Sequence, residues 1–407
     1  MNAPPPLTLY VHLPWCVQKC PYCDFNSHAL KNALPEDGYL AALARDFDFA
    51  VRELDAPRPL EAIFFGGGTP SLFSARGIGG FLERVASRLP FAPDIEITLE
   101  ANPGTVEHDS FRDYRAAGIN RVSLGVQSFD DAQLKTLGRI HDSGAAYRAV
   151  DELHAANLGN FNIDLMYALP GQAAGDALAD VGKAIAARPA HISHYELTLE
   201  PNTLFAVRPP AGLPDDDRTM EIAAACRARL AEAGFERYEI SAYSKPGRQS
   251  AHNLNYWRYG DYLAVGAGAH GKLTTPNGIV RTARHRHPKD YQATSGSESA
   301  IAERREIPPA ERVFEYMLNR CRLVEGGHPS EFTALTGLDA SRLEPGLARA
   351  RELGLVERRG DGGWRPTPRG LELLNELQAL FLPELDESIG SPRNVASERG
   401  PGTAEQF

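Results

Sequence analysis

Short apolar runs recur through the first half of the chain, each followed by a stretch whose apolar positions fall at helical spacing. The runs are Leu7–Leu13, Ala62–Phe65, Ile95–Glu100, Arg121–Gln127, Phe161–Tyr167 and His191–Leu199. The helical stretches include Gly38–Leu54, Ala75–Leu89, Ser110–Ala117, Ala145–Asn157 and Asp176–Ala187. Strand and helix in strict alternation predict parallel βαβ units. Crossovers in such units are right-handed, so the sheet should curl towards a barrel. Six units rather than eight predict a partial (β/α)6 barrel, open on one side, and no comparable repeat follows Glu200. Leu213–Gly234 reads as a further helix, with Asp215–Asp217 where acids suit its dipole and Cys226 inside its apolar pattern as a buried structural thiol. From Pro308 an α-rich unit begins. Helices are expected over Ala310–Arg320, Ser330–Leu335 and Ser341–Leu353, then a hairpin over Leu355–Pro366 turning at Gly360–Gly363, then a last helix over Gly370–Leu382. Three helices and a hairpin make a winged-helix-like unit. The expected divisions are therefore residues 1–240 for the barrel, 241–304 for a connecting segment, 305–385 for the C-terminal unit and 386–407 for a polar, disordered tail.

Composition narrows the function. The 407 residues carry 43 Lys and Arg against 53 Asp and Glu, a net charge of −10, which argues against wholesale nucleic-acid binding. The N-terminus MNAPPPLTLY has no signal-peptide pattern, and no run of about 18 apolar residues suggests a membrane span. Five cysteines, three of them clustered, fit a reducing cytoplasm better than a disulfide framework.

The clustered cysteines carry the strongest chemistry. The first strand runs into Cys16, Cys20 and Cys23, spaced C-x3-C-x2-C, and Phe25 stands where a fourth cysteine would fall. Three thiolates on one short loop can hold three irons of a cubane cluster and leave the fourth open to another ligand. A zinc site would need four ligands, and Cys226 and Cys321 are isolated. Later strand ends are also chemical: Gly66-Gly67-Gly68-Thr69-Pro70, Glu100-Ala101-Asn102-Pro103, Gln127-Ser128, and Asp164 within the fifth strand. A parallel barrel keeps its active site at these ends. Taken singly, the glycines could be a turn, and Arg139 or Asp164 an ordinary ion pair.

Together these motifs bear a family resemblance. LYVHLPWC, YCDF, FFGGGTPS, LEANP, GVQSF, LGRIHD and NIDLMYALPG resemble the radical S-adenosylmethionine (SAM) superfamily. Within it they are similar to the oxygen-independent coproporphyrinogen III dehydrogenases and, more closely, to HemW-type heme chaperones, over about Leu7 to Leu382. The resemblance implies a 4Fe-4S cluster on Cys16, Cys20 and Cys23, with SAM on the open iron. It implies that Tyr10 and Tyr22 line the SAM site and that Gly67, Gly68 and Thr69 meet the methionine end. Glu100, Gln127, Arg139 and Asp164 would bind SAM through its carboxylate, ribose or adenine. It also gives meaning to His252-Asn253-Leu254-Asn255-Tyr256-Trp257, which by composition alone reads as an ordered loop with buried aromatics: the resemblance implies heme binding there, through His252.

Gly266–Gly271 fits G-x-G-x-x-G but does not open a helix, so a close backbone pass beside the SAM or porphyrin cavity is the better reading than a nucleotide fingerprint. His270 within it is a second candidate for contact with heme. Ala283–Glu303, with Arg284, His285, Arg286 and His287, reads as an exposed connector whose basic residues could meet propionates. Two functions follow from the resemblance. The first is heme binding and delivery to an acceptor protein, expected among membrane-associated respiratory components, with no catalytic residue assigned. The alternative is radical oxidative decarboxylation of coproporphyrinogen III. Phe25, the nine residues before Tyr10 and the HNxxYW stretch all favour the first.

Overall fold

The computed structural model describes residues 4–104 and 109–383; the tail expected to be disordered lies outside them. The six expected strands form, as β1 (Leu7–Leu13), β2 (Leu60–Gly67), β3 (Phe91–Ala101), β4 (Arg121–Gln127), β5 (Phe161–Tyr167) and β6 (His191–Glu196). They lie side by side in chain order, every neighbouring pair parallel. Each strand sorts its residues by parity. Leu9, Val11, Ile63, Phe65, Leu99, Leu124, Ile163 and Ile192 face outward. There they join Leu43, Phe47, Phe81, Val85, Leu153 and Val181 of the covering helices in one core. The other parity carries Tyr10, His12, Glu100, Ser123, Gln127, Asn162, Asp164 and Ser193. The concave face therefore carries the polar groups, beside an apolar patch at Tyr10 and Phe64, while the convex face is packed.

The sheet does not stop after Glu200, which corrects the expectation of six strands. Two short strands, β7 (Glu236–Arg237) and β8 (Ala242–Ser244), extend it antiparallel beyond β6. Four more, β9 (Asp261–Val265), β10 (His270–Thr275), β11 (Gly278–Arg284) and β12 (Ile301–Glu306), extend it from β1, giving the order β12-β11-β10-β9-β1-β2-β3-β4-β5-β6-β8-β7. β9 runs parallel to β1, and β10 to β12 follow as antiparallel neighbours. The stretch Ala283–Glu303 is thus not merely an exposed connector. Arg284 is buried, and its guanidinium pairs with buried Asp46 at 2.9 Å, which also accepts from Tyr291. A buried arginine is tolerated because its charge is matched and hydrogen-bonded.

The HNxxYW stretch is a helix, Ala251–Trp257, not a loop. It closes the foot of the barrel, at the N-terminal ends of the strands. Glu96, early in β3, accepts from the backbone N–H of Ala251 at 2.9 Å and of His252 at 3.4 Å, and from Ser250 Oγ. Asn255 donates to Thr8 Oγ1 of β1.

The C-terminal unit forms as expected: helices Pro309–Arg320, Pro329–Thr336 and Glu344–Glu352, the hairpin Val356–Arg358 with Trp364–Pro366, and a last helix broken into Pro368–Glu372 and Leu374–Ala379. Its core of Ile307, Tyr316, Phe332, Leu347, Trp364 and Leu377 also takes in Tyr259 and Ile279 from the preceding sheet region. Among the described residues no helix is long and apolar enough to cross a membrane.

Candidate functional site

At the mouth of the barrel, β1 leads directly into the cysteine loop. Trp15–Cys16 pairs with His28–Ala29 as a two-stranded ribbon, so the chain between them closes on itself. The loop is held by Leu30 N–H to Cys16 O at 2.9 Å, Cys23 N–H to Cys20 O at 3.2 Å and Lys19 Nζ to Phe25 O at 2.9 Å. All three cysteines are half-buried, and they interact electrostatically with one another. Burial pushes the Cys23 thiol up to about 11 and raises Cys16 as well, against the nearby Thr69 and Ser27 hydroxyls. Desolvated thiols of this kind stay protonated until a cation offers compensation. Among the described residues no three His, Cys, Asp or Glu side chains converge on a single-ion position; thiolates spread over three irons need not do so.

The glycine run lies against this loop. Gly68 N–H donates to Leu13 O and Thr69 N–H to Trp15 O, at 2.8 and 2.7 Å. A Cβ on Gly68 would collide with the Trp15 backbone, and one on Gly67 would collide with the His12 ring; Gly67 also holds φ at 112°. Only glycine fits either place. Gly67 N–H donates to Glu100 Oε2 at 3.0 Å. Burial and the nearby Asp164 carboxylate raise Glu100 to about 8, against the Gly67 hydrogen bond. Asp164, raised by its own burial, accepts from Asn162 at 2.7 Å and Ser123 at 3.3 Å.

Arg139 is aimed by the short helix Asp131–Thr136, capped by Asp130. The chain turns through Gly138 at φ 67°, a left-handed helix end. The guanidinium then reaches Gly125 O at 2.8 Å, Asn102 Oδ1 and Cys20 Sγ at 3.5 Å. Asn102 in turn donates to Thr69 Oγ1 at 2.9 Å. Tyr22 sits beside Arg139, Cys20 and Cys23. Gln127 ends β4 at φ 68°, a strained setting for a residue with a side chain; buried Asp180 secures it by accepting from Ser128 Oγ and Phe129 N–H.

The structure thus brings together Cys16, Cys20, Cys23, Tyr10, Tyr22, Gly67, Gly68, Thr69, Glu100, Gln127, Arg139 and Asp164 on one mouth and its concave wall. His252 lies deeper, at the foot. Its ring is 1% exposed, near-parallel to Phe64 at 5.2 Å and Tyr10 at 6.2 Å between centroids. Burial and Arg121 lower it to about 3. Sequence reasoning passed over His12 and Asn26, and gave Asn102 no role beyond its place in a strand-end motif. His12 links Tyr10 OH, at 2.9 Å to Nδ1, with Asn26 O, at 2.9 Å to Nε2. Asn26 donates onward to Ala267 O and Arg286 O. The signal for His12 was present: it stands two residues after Tyr10, on the same strand face.

A radical SAM superfamily pattern matches residues 10–181, and a HemN C-terminal domain pattern matches residues 307–373. The chain is 49% identical to the heme chaperone HemW of Escherichia coli strain K12, over 93% of this chain and 99% of that protein. The chain belongs to the HemW family of radical SAM proteins. More distant members agree: the heme chaperone HemW of Mycobacterium tuberculosis strain H37Rv is 35% identical over 88% of this chain and 90% of its own length. The solved structure of E. coli coproporphyrinogen III oxidase, HemN, a radical SAM enzyme, superposes with a TM-score of 0.78 at 22% identity, covering 94% of this chain and 91% of that one. That likeness bears on the fold. Radical SAM membership brings a 4Fe-4S cluster and SAM as cofactors. The site suits them: desolvated thiols on one loop, a glycine backbone no side chain could replace, and a buried guanidinium beside Cys20.

Proposed function

We infer that this protein is a heme chaperone built on a radical SAM core, binding heme and passing it to an acceptor protein. The observation that carries the reading is identity of nearly half the residues to E. coli HemW along almost the whole of both chains. We assign Cys16, Cys20 and Cys23 as the cluster ligands; Phe25 leaves the loop without a fourth thiolate. When bound, the cluster supplies an electron and an open iron that SAM can cap.

The chain's own residues divide the rest. Gly67, Gly68 and Thr69 offer backbone to the methionine end. Arg139 suits a carboxylate, which a guanidinium can bind with two parallel hydrogen bonds. Glu100 and Asp164 suit an ammonium or ribose hydroxyls, Gln127 offers an amide, and Tyr10 and Tyr22 exclude water from the two ends of the site. His252, within the stack with Tyr10 and Phe64, contributes to an aromatic wall for the porphyrin. We place the protein in the cytoplasm and its acceptor among membrane-associated respiratory components.

The test is anaerobic reconstitution of the cluster, followed by heme titration and by incubation with SAM, reductant and coproporphyrinogen III. Saturable heme binding with no decarboxylated porphyrin, while a known dehydrogenase works in the same mixture, is the expected result. Conversion of coproporphyrinogen III would overturn it. The triple Cys16→Ala, Cys20→Ala, Cys23→Ala variant should retain no cluster iron or sulfide.

A further inference from the structure

Among the imidazoles along the concave wall, His252 and His270 differ in access. His252 is enclosed beneath Tyr10 and Phe64, so an iron could reach it only after the foot of the barrel opened. His270 begins β10 and is exposed. Strand pairing fixes where it points. Phe64 pairs with Tyr10, and Tyr10 with Ala264. Tyr262 pairs with Lys272 across the antiparallel β9–β10 ladder, which sets Ala264 opposite His270. Residues directly opposite share a face. Tyr10, Phe64 and Ala264 form one apolar cluster on the concave face, so His270 ends that row where it meets solvent. His270 and Arg286 both lie close enough to His12 to disfavour its protonation, and Arg286 is exposed. A buried aromatic row on the concave face therefore ends at an exposed imidazole, with the exposed Arg286 beside it through the Asn26 link to His12. A heme offers the matching set: a flat apolar macrocycle, an iron that takes nitrogen ligands and carboxylate side arms.

We propose that His270 is the axial ligand through which this protein takes heme iron, with Arg286 receiving a propionate. The assignment rests on the heme-chaperone reading and goes beyond it by naming the ligand. No bond beyond the iron–nitrogen bond forms.

The test is titration of ferric heme into the full-length, cluster-reconstituted protein, read by Soret spectrum, electron paramagnetic resonance and affinity. His270→Ala should weaken binding by about tenfold or more and shift the Soret band. His270→Met should give a different spectrum again. Arg286→Ala should weaken binding without changing the spectrum, because it removes a charge partner and no ligand. Circular dichroism checks the fold of each variant; His270 and Arg286 are exposed, and His252 is buried. Unchanged spectrum and affinity in His270→Ala, or a spectrum altered by His252→Ala alone, would overturn the assignment while leaving the chaperone reading standing. A wild-type protein that binds no heme would overturn both.

Discussion

At the scale of single residues, the site is a set of groups held away from their ordinary states. Glu100 shows this most clearly. Its carboxyl is raised to about 8 by burial and by Asp164. A carboxyl whose folded value lies above its ordinary one supports the fold fully below the ordinary value. That support is lost as pH rises through the folded value. We therefore expect the cluster-free protein to lose stability between about pH 4.5 and pH 8 relative to Glu100→Gln, which cannot ionise. The difference should be on the order of 1 kcal/mol, since water at the open mouth screens the remainder. Urea melts of both proteins at pH 5.5 and pH 8.5 measure it; parallel pH profiles would show that Glu100 ionises normally. Most of these residues were legible in the sequence because they sit at strand ends in a repeating pattern. Asn26 was not, and Asn102 was legible only as part of a strand-end motif, because their partners, the backbone of Ala267 and Arg286 and the side chains of Thr69 and Arg139, come from distant parts of the chain.

At the scale of elements, the seven-residue helix Ala251–Trp257 is the informative piece. It is too short to show a helical period, and its polar and aromatic letters look like a loop. Its N-terminus is held by Ser250, whose Oγ caps Asn253 N–H, and by Glu96, which is also 3.6 Å from buried Arg121. Glu96→Ala would remove the acceptor of the first backbone N–H groups and leave Arg121 without that counter-charge. Breaking a buried pair on one side costs about 3–5 kcal/mol, so we expect a loss of that order in denaturant melts and a rise in protease sensitivity around residue 250. A loss below about 1 kcal/mol would show that the helix is held from elsewhere. The antiparallel strands β10 to β12 were hidden for a related reason. Their residues are mixed and charged, as suits the outer part of a sheet, and they lack the apolar run of a doubly covered parallel strand. The close backbone pass at Gly266 and Gly268 was legible: a Cβ there would strike His12 or Asn26, which is why those positions are glycine.

At the scale of the whole molecule, the question is whether the barrel and the C-terminal unit stand alone. The helical and hairpin pattern from Pro308 suggested a separate unit, and we propose residues 305–385 as a structural domain. The contacts across that line argue that it is not thermodynamically independent. Tyr259 and Ile279 are buried in the C-terminal core. Tyr259 OH donates to Glu315 at 3.0 Å, and Arg281 pairs with the same carboxylate at 3.2 Å. Arg322 stacks its guanidinium 4.4 Å from the centre of the Trp257 ring, and Arg258 forks onto Glu325 at 2.9 and 3.0 Å. These ties converge on the end of the HNxxYW helix, whose other end is anchored to Glu96 in the barrel. Removing residues 307–383 would bare two large apolar side chains, each worth about 1.5–3 kcal/mol when buried, and would strand Arg258, Arg281 and Trp257. We therefore expect one cooperative unfolding transition for the full chain, by calorimetry and by denaturant, and no stable fold for a fragment ending at Glu306. Two separated transitions, together with a soluble, cooperatively folded fragment, would show that the helix transmits nothing between the units. In the coupled case, strain at the barrel foot is felt in the C-terminal unit, and the wall beside His252, Tyr10 and Phe64 is set partly by residues more than 50 positions further along the chain.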